Sequence, residues 1–190
     1  MRGMPELEVV EIALPLTDET VASLSMGSVC ELTGVMYTAR DAAHKRMVDA
    51  LDKGEPLPFD VRGEVIYYVG PTPPKPGAII GSAGPTTSGR MDAYTPQMLE
   101  AGLKGMIGKA GRSRPVVESI VRNRAVYFAA IGGTAASLSR SIKKVEMVAY
   151  EDLGTEAIRK LWVERFPAVV AVDSRGGDIF AEGFKKYAAE

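Results

Sequence analysis

The 190 residues are 46% hydrophobic and carry 23 basic against 24 acidic side chains, a formal net charge of -1. That is enough apolar material for one sizeable core, and it excludes a nucleic-acid surface held by bulk positive charge, so any anion site must be local. Apolar runs such as Ala168 to Val172 fall far short of the roughly 20 residues that cross a bilayer, and no basic stretch leads into a secretory apolar core. A cytoplasmic chain with a single domain over residues 1–190 is expected.

The first third is β-rich. "LEVVEIALPL", "GSVCELTGVMYTAR" and "GEVIYYVGP" carry the β-branched residues of strands. Cys30, in the second of them, is the one cysteine; it excludes an internal disulfide, cannot alone hold an iron-sulfur cluster or zinc, and reads as buried filler. Between these strands "RDAAHKRMVDALDKG" predicts a helix, because Ala42, Ala43, Met47, Val48 and Leu51 recur near helical spacing. Asp41 caps or enters it and Gly54 stops it. "GPTPPKPG" then sets four prolines and two glycines in eight residues, a stiff, extended connector.

From Ala78 onward short apolar strands alternate with helices. Strands are expected at "GAIIGSAG", "GMIGKAG", "AVYFAAIGG", "KVEMVAY" and "PAVVAVD", and helices at "TPQMLEAGL", "RPVVESIVRNR", "TAASLSRSI" and "TEAIRKLWV"; Gly132 and Gly133 make a strand-to-helix turn. The fold class is α/β, a β-rich first part followed by alternating strands and helices with partly parallel pairing. Gly-rich loops gather at strand ends, where such folds bind ligands.

Three of those loops carry fixed positive charge: Arg40 in "GVMYTARDAAHK", Arg90 in "IIGSAGPTTSGRMD", and Lys109, Arg112 and Arg114 in "GLKGMIGKAGRSR". Arginine's planar fork grips a carboxylate or phosphate through two bonds, lysine adds a point charge, and glycines let backbone N–H groups approach. The group suits an anion with two acidic ends. A phosphate-binding P-loop is excluded because "GPTTSGR" lacks the Gly-Lys-Ser/Thr ending. A Ser-His-Asp triad would have to use His44, the only histidine, which falls inside a predicted helix with no nucleophile elbow in the chain. Metal-ligand spacing is absent. Residues alone reach an α/β domain that binds a small dianion, with its chemistry incomplete.

"GPTTSGRMD", "TARDAAHKR", "YYVGPTPPKPG", "GMIGKAGRS", "IGGTAASLSRSI" and "EDLGTEAIRKLWVERFPAVVAVD" follow one another over nearly the whole chain. In that order they resemble the β subunit, or C-terminal domain, of the class I iron-sulfur-dependent fumarases and related L(+)-tartrate dehydratases. The resemblance implies a swivelling β/β/α fold and a two-part hydro-lyase. A partner α subunit would hold the 4Fe-4S cluster through three cysteines, in a heterodimer or heterotetramer that docks on an exposed apolar face of this chain. It also implies roles at matching positions: Thr86 as the base, with Thr87 as the neighbouring candidate; Arg40 and Arg90 as carboxylate grips; Lys109 as the active-site lysine; Gly84 and Thr87 in the substrate-binding loop. The Ala110-Gly111 pair departs from the family's more usual Lys-Gly-Asn. Asp41 either steadies Arg40 or touches substrate, and of Arg112 and Arg114 one caps its loop and the other is solvated. Interconversion of (S)-malate and fumarate is the expected activity, with tartrate dehydration or a non-catalytic dianion-binding module as alternatives.

Overall fold

The computed structural model of the chain describes residues 8–130 and 135–187. The β-branched run after Gly27 becomes β2 (Val29–Thr38). Its first half takes β1 (Val9–Ala13) as a parallel neighbour, and its last two residues pair in parallel with β3 (Val65–Tyr67). β4 (Gly105–Gly108) and β5 (Val126–Ala130) continue the parallel set. The fifteen-residue β7 (Ile158–Val172) runs antiparallel to β6 (Ile142–Ala149) and β5 along one edge, and to β2 along the other. Because β7 pairs with both β5 and β2, the strands β2, β3, β4, β5 and β7 close into a ring that β1 and β6 extend.

Alternation along each strand divides the apolar residues between the two faces of that ring. Val65, Tyr67, Ile107, Val126 and Phe128 join Cys30, Leu32, Met36, Leu161, Phe166 and Val170 in one buried cluster. Ile66, Tyr68, Met106 and Tyr127 face the other way. They pack on Ala43 and Met47 of α2 (Asp41–Asp52), Met98 and Leu99 of α3 (Thr95–Glu100), and Val116 and Ile120 of α4 (Arg114–Arg122). Full burial of side chains of this size stabilises by about 1.5–3 kcal/mol each, so both faces are committed to packing. Cys30 is indeed buried, and burial pushes its thiol pKa up to about 11. Among the described residues no helix is long and apolar enough to cross a membrane.

Gly54 ends α2 as expected: it has a φ of +70° and its N–H donates to the Leu51 carbonyl at 3.0 Å. Asp41 enters that helix as its first residue rather than capping it. Two expectations fail. "TEAIRKLWV" shows Ile158, Leu161 and Trp162 at helical spacing, yet from Ile158 onward it forms the first part of β7, because backbone pairing with β2 and β6 on its two edges outweighs a local pattern this short. "GAIIGSAG" forms no strand. Thr72 holds Ser82 through both backbone and hydroxyl, so residues 72–82 fold back as a loop, leaving Ile79 54% exposed. Two short helices, α1 (Asp18–Ser23) and α6 (Ile179–Tyr187), are not among the expected elements, although Thr17 caps α1 ahead of Asp18 and Glu19 in its first turn. The helix expected at "TAASLSRSI" is α5 (Ala135–Arg140); the Gly132-Gly133 turn before it lies outside the described residues.

The ring closes across paired irregularities. β2 shifts register between Leu32 and Gly34, opposite Arg165 of β7 with its φ of +49°, and the Arg165 N–H donates to Thr33 Oγ1 at 3.0 Å. Gly34 has a φ of +137°, and a methyl group there would fall 2.8 Å from the Leu14 carbonyl oxygen. Gly34→Ala should therefore cost about 1–3 kcal/mol of stability, read as a lowered urea midpoint with an unchanged slope; an unchanged midpoint would show that the bulge relaxes freely.

Candidate active site

Parallel strands share one rim at their C-terminal ends, and the loops that leave it carry the candidate residues. The loop from Gly84 to Asp92 is seated between the ends of β3 and β4. The Thr86 N–H donates to the Tyr68 carbonyl at 2.7 Å, the Lys109 N–H donates to the Thr86 carbonyl at 3.3 Å, and the Ser88 N–H donates to the Lys109 carbonyl at 3.0 Å. Thr87 and Lys109 form an isolated parallel bridge. Thr86, Thr87 and Lys109 thus stand side by side, Thr86 half-buried and the other two exposed.

Two close approaches hold the loop there. A methyl group on Gly108 would fall 1.9 Å from Ser88 Oγ, so only glycine admits this packing. Tyr127 donates its phenolic proton to the Ala110 carbonyl at 2.6 Å, which leaves Ser88 as donor in its 2.8 Å bond to the Tyr127 oxygen. Burial pushes the Tyr127 pKa up to about 12, keeping that proton in place. At the other end of the loop a methyl group on Gly84 would meet the Ala135 side chain at 3.0 Å, so Gly84 brings the loop against the start of α5.

The same loop delivers Arg90 to the start of α2. Its Nη2 lies 2.7 Å from Asp41 Oδ2, while Arg40 Nε stands 3.8 Å from Asp41 Oδ1. Arg40 Nη2 lies 3.2 Å from Oε1 of Glu156, whose Oε2 accepts the Ala42 N–H at 3.0 Å. Glu156 therefore supplies the cap that α2 takes from no side chain of its own N-cap residue, Arg40. Arg40 Nε and Asp41 Oδ1 are buried and form no hydrogen bond among the described residues.

The structure thus gathers Arg40, Asp41, Arg90 and Glu156 into one ion cluster, and Thr86, Thr87 and Lys109 into a neighbouring group joined to it by the loop. Arg112 is elsewhere in function. Its side chain is fully buried, donating to Asp92 at 2.8 Å, to Thr95 at 2.6 Å and to Tyr68 at 3.2 Å, with its guanidinium carbon 5.3 Å and 5.1 Å from the ring centres of Tyr68 and Tyr127. It ties the two loops together, and Arg114 is solvated beside Glu118. Sequence reasoning missed Glu156, Ser88 and Tyr127, because each matters only through a partner far away in the chain.

Cys30 sits within the strand ring, and among the described residues no three His, Cys, Asp or Glu side chains converge. These donors do not fit an iron-sulfur cluster on this chain. A cleft of about 490 Å³, lined by Pro71, Thr72, Ile79, Thr155 and Arg159, borders the ion cluster at Gly70. Ile79 is its most exposed apolar residue; the other large exposed apolar side chains include Val9, Met147 and Ile179.

Fold and rim together define an α/β domain with loop-borne cations gathered at one rim. The chain belongs to the family described as Fumarase C-terminus, which matches residues 2–183. Its relatives include "Fumarate hydratase class I, aerobic" of Escherichia coli (strain K12), 40% identical over 185 residues that cover 95% of this chain and 34% of that protein. "Fumarate hydratase 1, mitochondrial" of Leishmania major is 41% identical over 153 residues, covering 80% of this chain and 28% of that protein. The "Putative L(+)-tartrate dehydratase subunit beta" of Methanocaldococcus jannaschii is 37% identical over 177 residues, 90% of this chain and 91% of that protein. These names denote hydro-lyases. The chain spans about a third of the length of the fumarate hydratases it matches and nearly all of the tartrate dehydratase subunit.

His44 lies under this site. It is fully buried, its ring at a steep angle to that of Tyr68, and Nδ1–H donates to the Arg40 carbonyl at 2.9 Å, leaving Nε2 without a partner among the described residues. Burial lowers its pKa to about 4, with Arg112 adding to the effect and the Arg40 carbonyl and Asp41 opposing it. Between pH 6.5 and 4 the unfolded chain therefore binds a proton that the folded chain refuses. The stability that neutral His44 confers is complete above pH 6.5 and falls by about 3 kcal/mol as the pH drops to 4. His44→Asn, whose amide N–H can replace Nδ1–H, should flatten the dependence; urea unfolding at pH 7, 5.5 and 4.5 measures it, and identical slopes would clear His44 of the effect.

Proposed function

We propose that this chain is the β subunit of a two-part hydro-lyase that interconverts (S)-malate and fumarate plus water. The observation that carries the reading is that two arginines, Arg40 and Arg90, lie against a single carboxylate, Asp41, and that the loop bringing Arg90 there also carries Thr86 and bonds Lys109 through its backbone. Guanidinium groups already arranged around one carboxylate suit the two carboxylates of a C4 dicarboxylate. The family membership and the hydro-lyase relatives supply the reaction class. The site is completed, on this reading, by an α subunit that carries the 4Fe-4S cluster, in a heterodimer or heterotetramer of the cytoplasm.

Dehydration of malate removes a proton from the carbon next to one carboxylate while hydroxide leaves the adjacent carbon. Negative charge then grows on the carboxylate beside the deprotonated carbon, and the arginine gripping it stabilises that charge more in the transition state than in the ground state. Thr86 takes the proton as an alkoxide and returns it from its hydroxyl in the hydration direction. Lys109, whose backbone bonds that of Thr86, would bring an ammonium that favours the alkoxide over the alcohol. Gly84 and Thr87 shape the loop around the bound dicarboxylate. Departure of the hydroxyl belongs to the α part, and no group of this chain is assigned to it.

Tartrate, with one more hydroxyl, is the second reading, favoured by the near-complete coverage of a β subunit of this length. Anaerobic co-expression with the cysteine-bearing partner, followed by turnover of fumarate, malate and tartrate, separates the two. Malate and fumarate turnover that vanishes without either chain supports the first reading, tartrate turnover alone supports the second, and a complex inert to all three rejects both. In the active complex Thr86→Ala should lower kcat about 10²- to 10⁴-fold with KM little changed. A loss confined to KM would make Thr86 a binding residue.

A further inference from the structure

Glu156 ends a 3₁₀ turn, Glu151–Glu156, that is held unusually firmly. Tyr150 before it has a φ of +58°, in the left-handed region that an aromatic residue rarely adopts. Gly154 within it is also non-helical. Arg159 donates to the carbonyls of Gly154, Thr155 and Ala157, and Arg46 pairs with Asp152 while lying over the Tyr150 ring. A backbone kept in such a conformation by so many bonds marks a place where position matters.

What that firmness positions is one carboxylate with two jobs. Oε2 accepts the Ala42 N–H at the start of α2, and Oε1 faces Arg40 Nη2. The opposite side of the guanidinium meets Gly70, where a methyl group would come within 3.0 Å of Arg40 Nη1 and 3.3 Å of the Thr155 oxygen. Glu156 and the Gly70 wall thus set the direction of the fork. Asp41 spends its nearer bond on Arg90 and stays 3.8 Å from Arg40 Nε, so that N–H remains unspent.

We propose that Glu156 is a positioning residue for Arg40: it anchors one arm of the guanidinium to the α2 N-terminus and so fixes the direction in which the fork is presented to a carboxylate. The proposal rests on Arg40 as a carboxylate grip. Glu156→Gln separates the two jobs, since the amide oxygen still accepts the Ala42 N–H while the NH₂ group cannot accept from Arg40.

In the assembled two-part enzyme Glu156→Gln should raise KM about tenfold with kcat within about threefold of the unsubstituted enzyme, and leave the melting temperature nearly unchanged. Against an Arg40→Ala background the same substitution should add nothing further, because coupled residues are not additive. In the full chain, NMR signals of the Arg40 guanidinium should change from hindered to free rotation on Glu156→Gln. An unchanged KM, equal effects in both backgrounds, or an unaltered Arg40 signal overturns the proposal. If Arg40→Ala itself leaves KM untouched, the carboxylate grip fails and the proposal with it; a changed Arg40 signal in that case shows that the contact was real and the functional reading wrong.

Discussion

The pairing of β2 with β7 is the constraint on which the rest depends. The two strands run antiparallel from Val29 opposite Val169 to Tyr37 opposite Lys160, and this ladder turns a parallel sheet into a closed ring. With the ring closed, the C-terminal ends of β2, β3, β4 and β5 cannot splay, so the loops that leave them are fixed relative to one another. The short strands β3 and β4, three and four residues long, would be marginal alone. Tyr68 and Gly108 hold their places at the rim because the ring around them does not open.

Charge at the rim is balanced internally. Arg40 and Arg90 are met by Asp41 and Glu156, in keeping with a chain whose basic and acidic residues nearly cancel. Lys109 makes no ion pair among the described residues. On the proposed function, an arriving dianion would meet one unpaired cation and two that are shared with acids, an arrangement that selects for a ligand able to compete at both arginines together. On the reading proposed here, the remaining compensation for two negative charges falls to the α part.

How much of this the sequence declares depends on the range over which each feature is determined. α2 is legible because Ala43, Met47 and Leu51 repeat locally and Gly54 stops them. The strand character of residues 158–163 is not, because it comes from β2, more than a hundred residues away, while Ile158 and Leu161 imitate a helix. "GAIIGSAG" misleads in the opposite sense: its isoleucines look like core, yet Thr72 and four prolines fold the segment into a loop. At the site, residue types and loops were readable from "GPTTSGR" and "TARDAAHK", but neither the sorting of Arg112 into the interior nor the bridging carboxylate of Glu156 was. Both depend on which loops meet, and that is settled by the closed ring.

The burial of Cys30 has a further consequence. Thiolate is the reactive form of cysteine, and a thiol inside the ring with its pKa pushed up to about 11 forms almost none at neutral pH. Alkylating reagents and mild oxidants would pass this chain by while it stays folded. In any assembly with a cysteine-bearing partner, thiol labelling therefore reports on the partner alone, and modification at Cys30 would signal that the ring had opened.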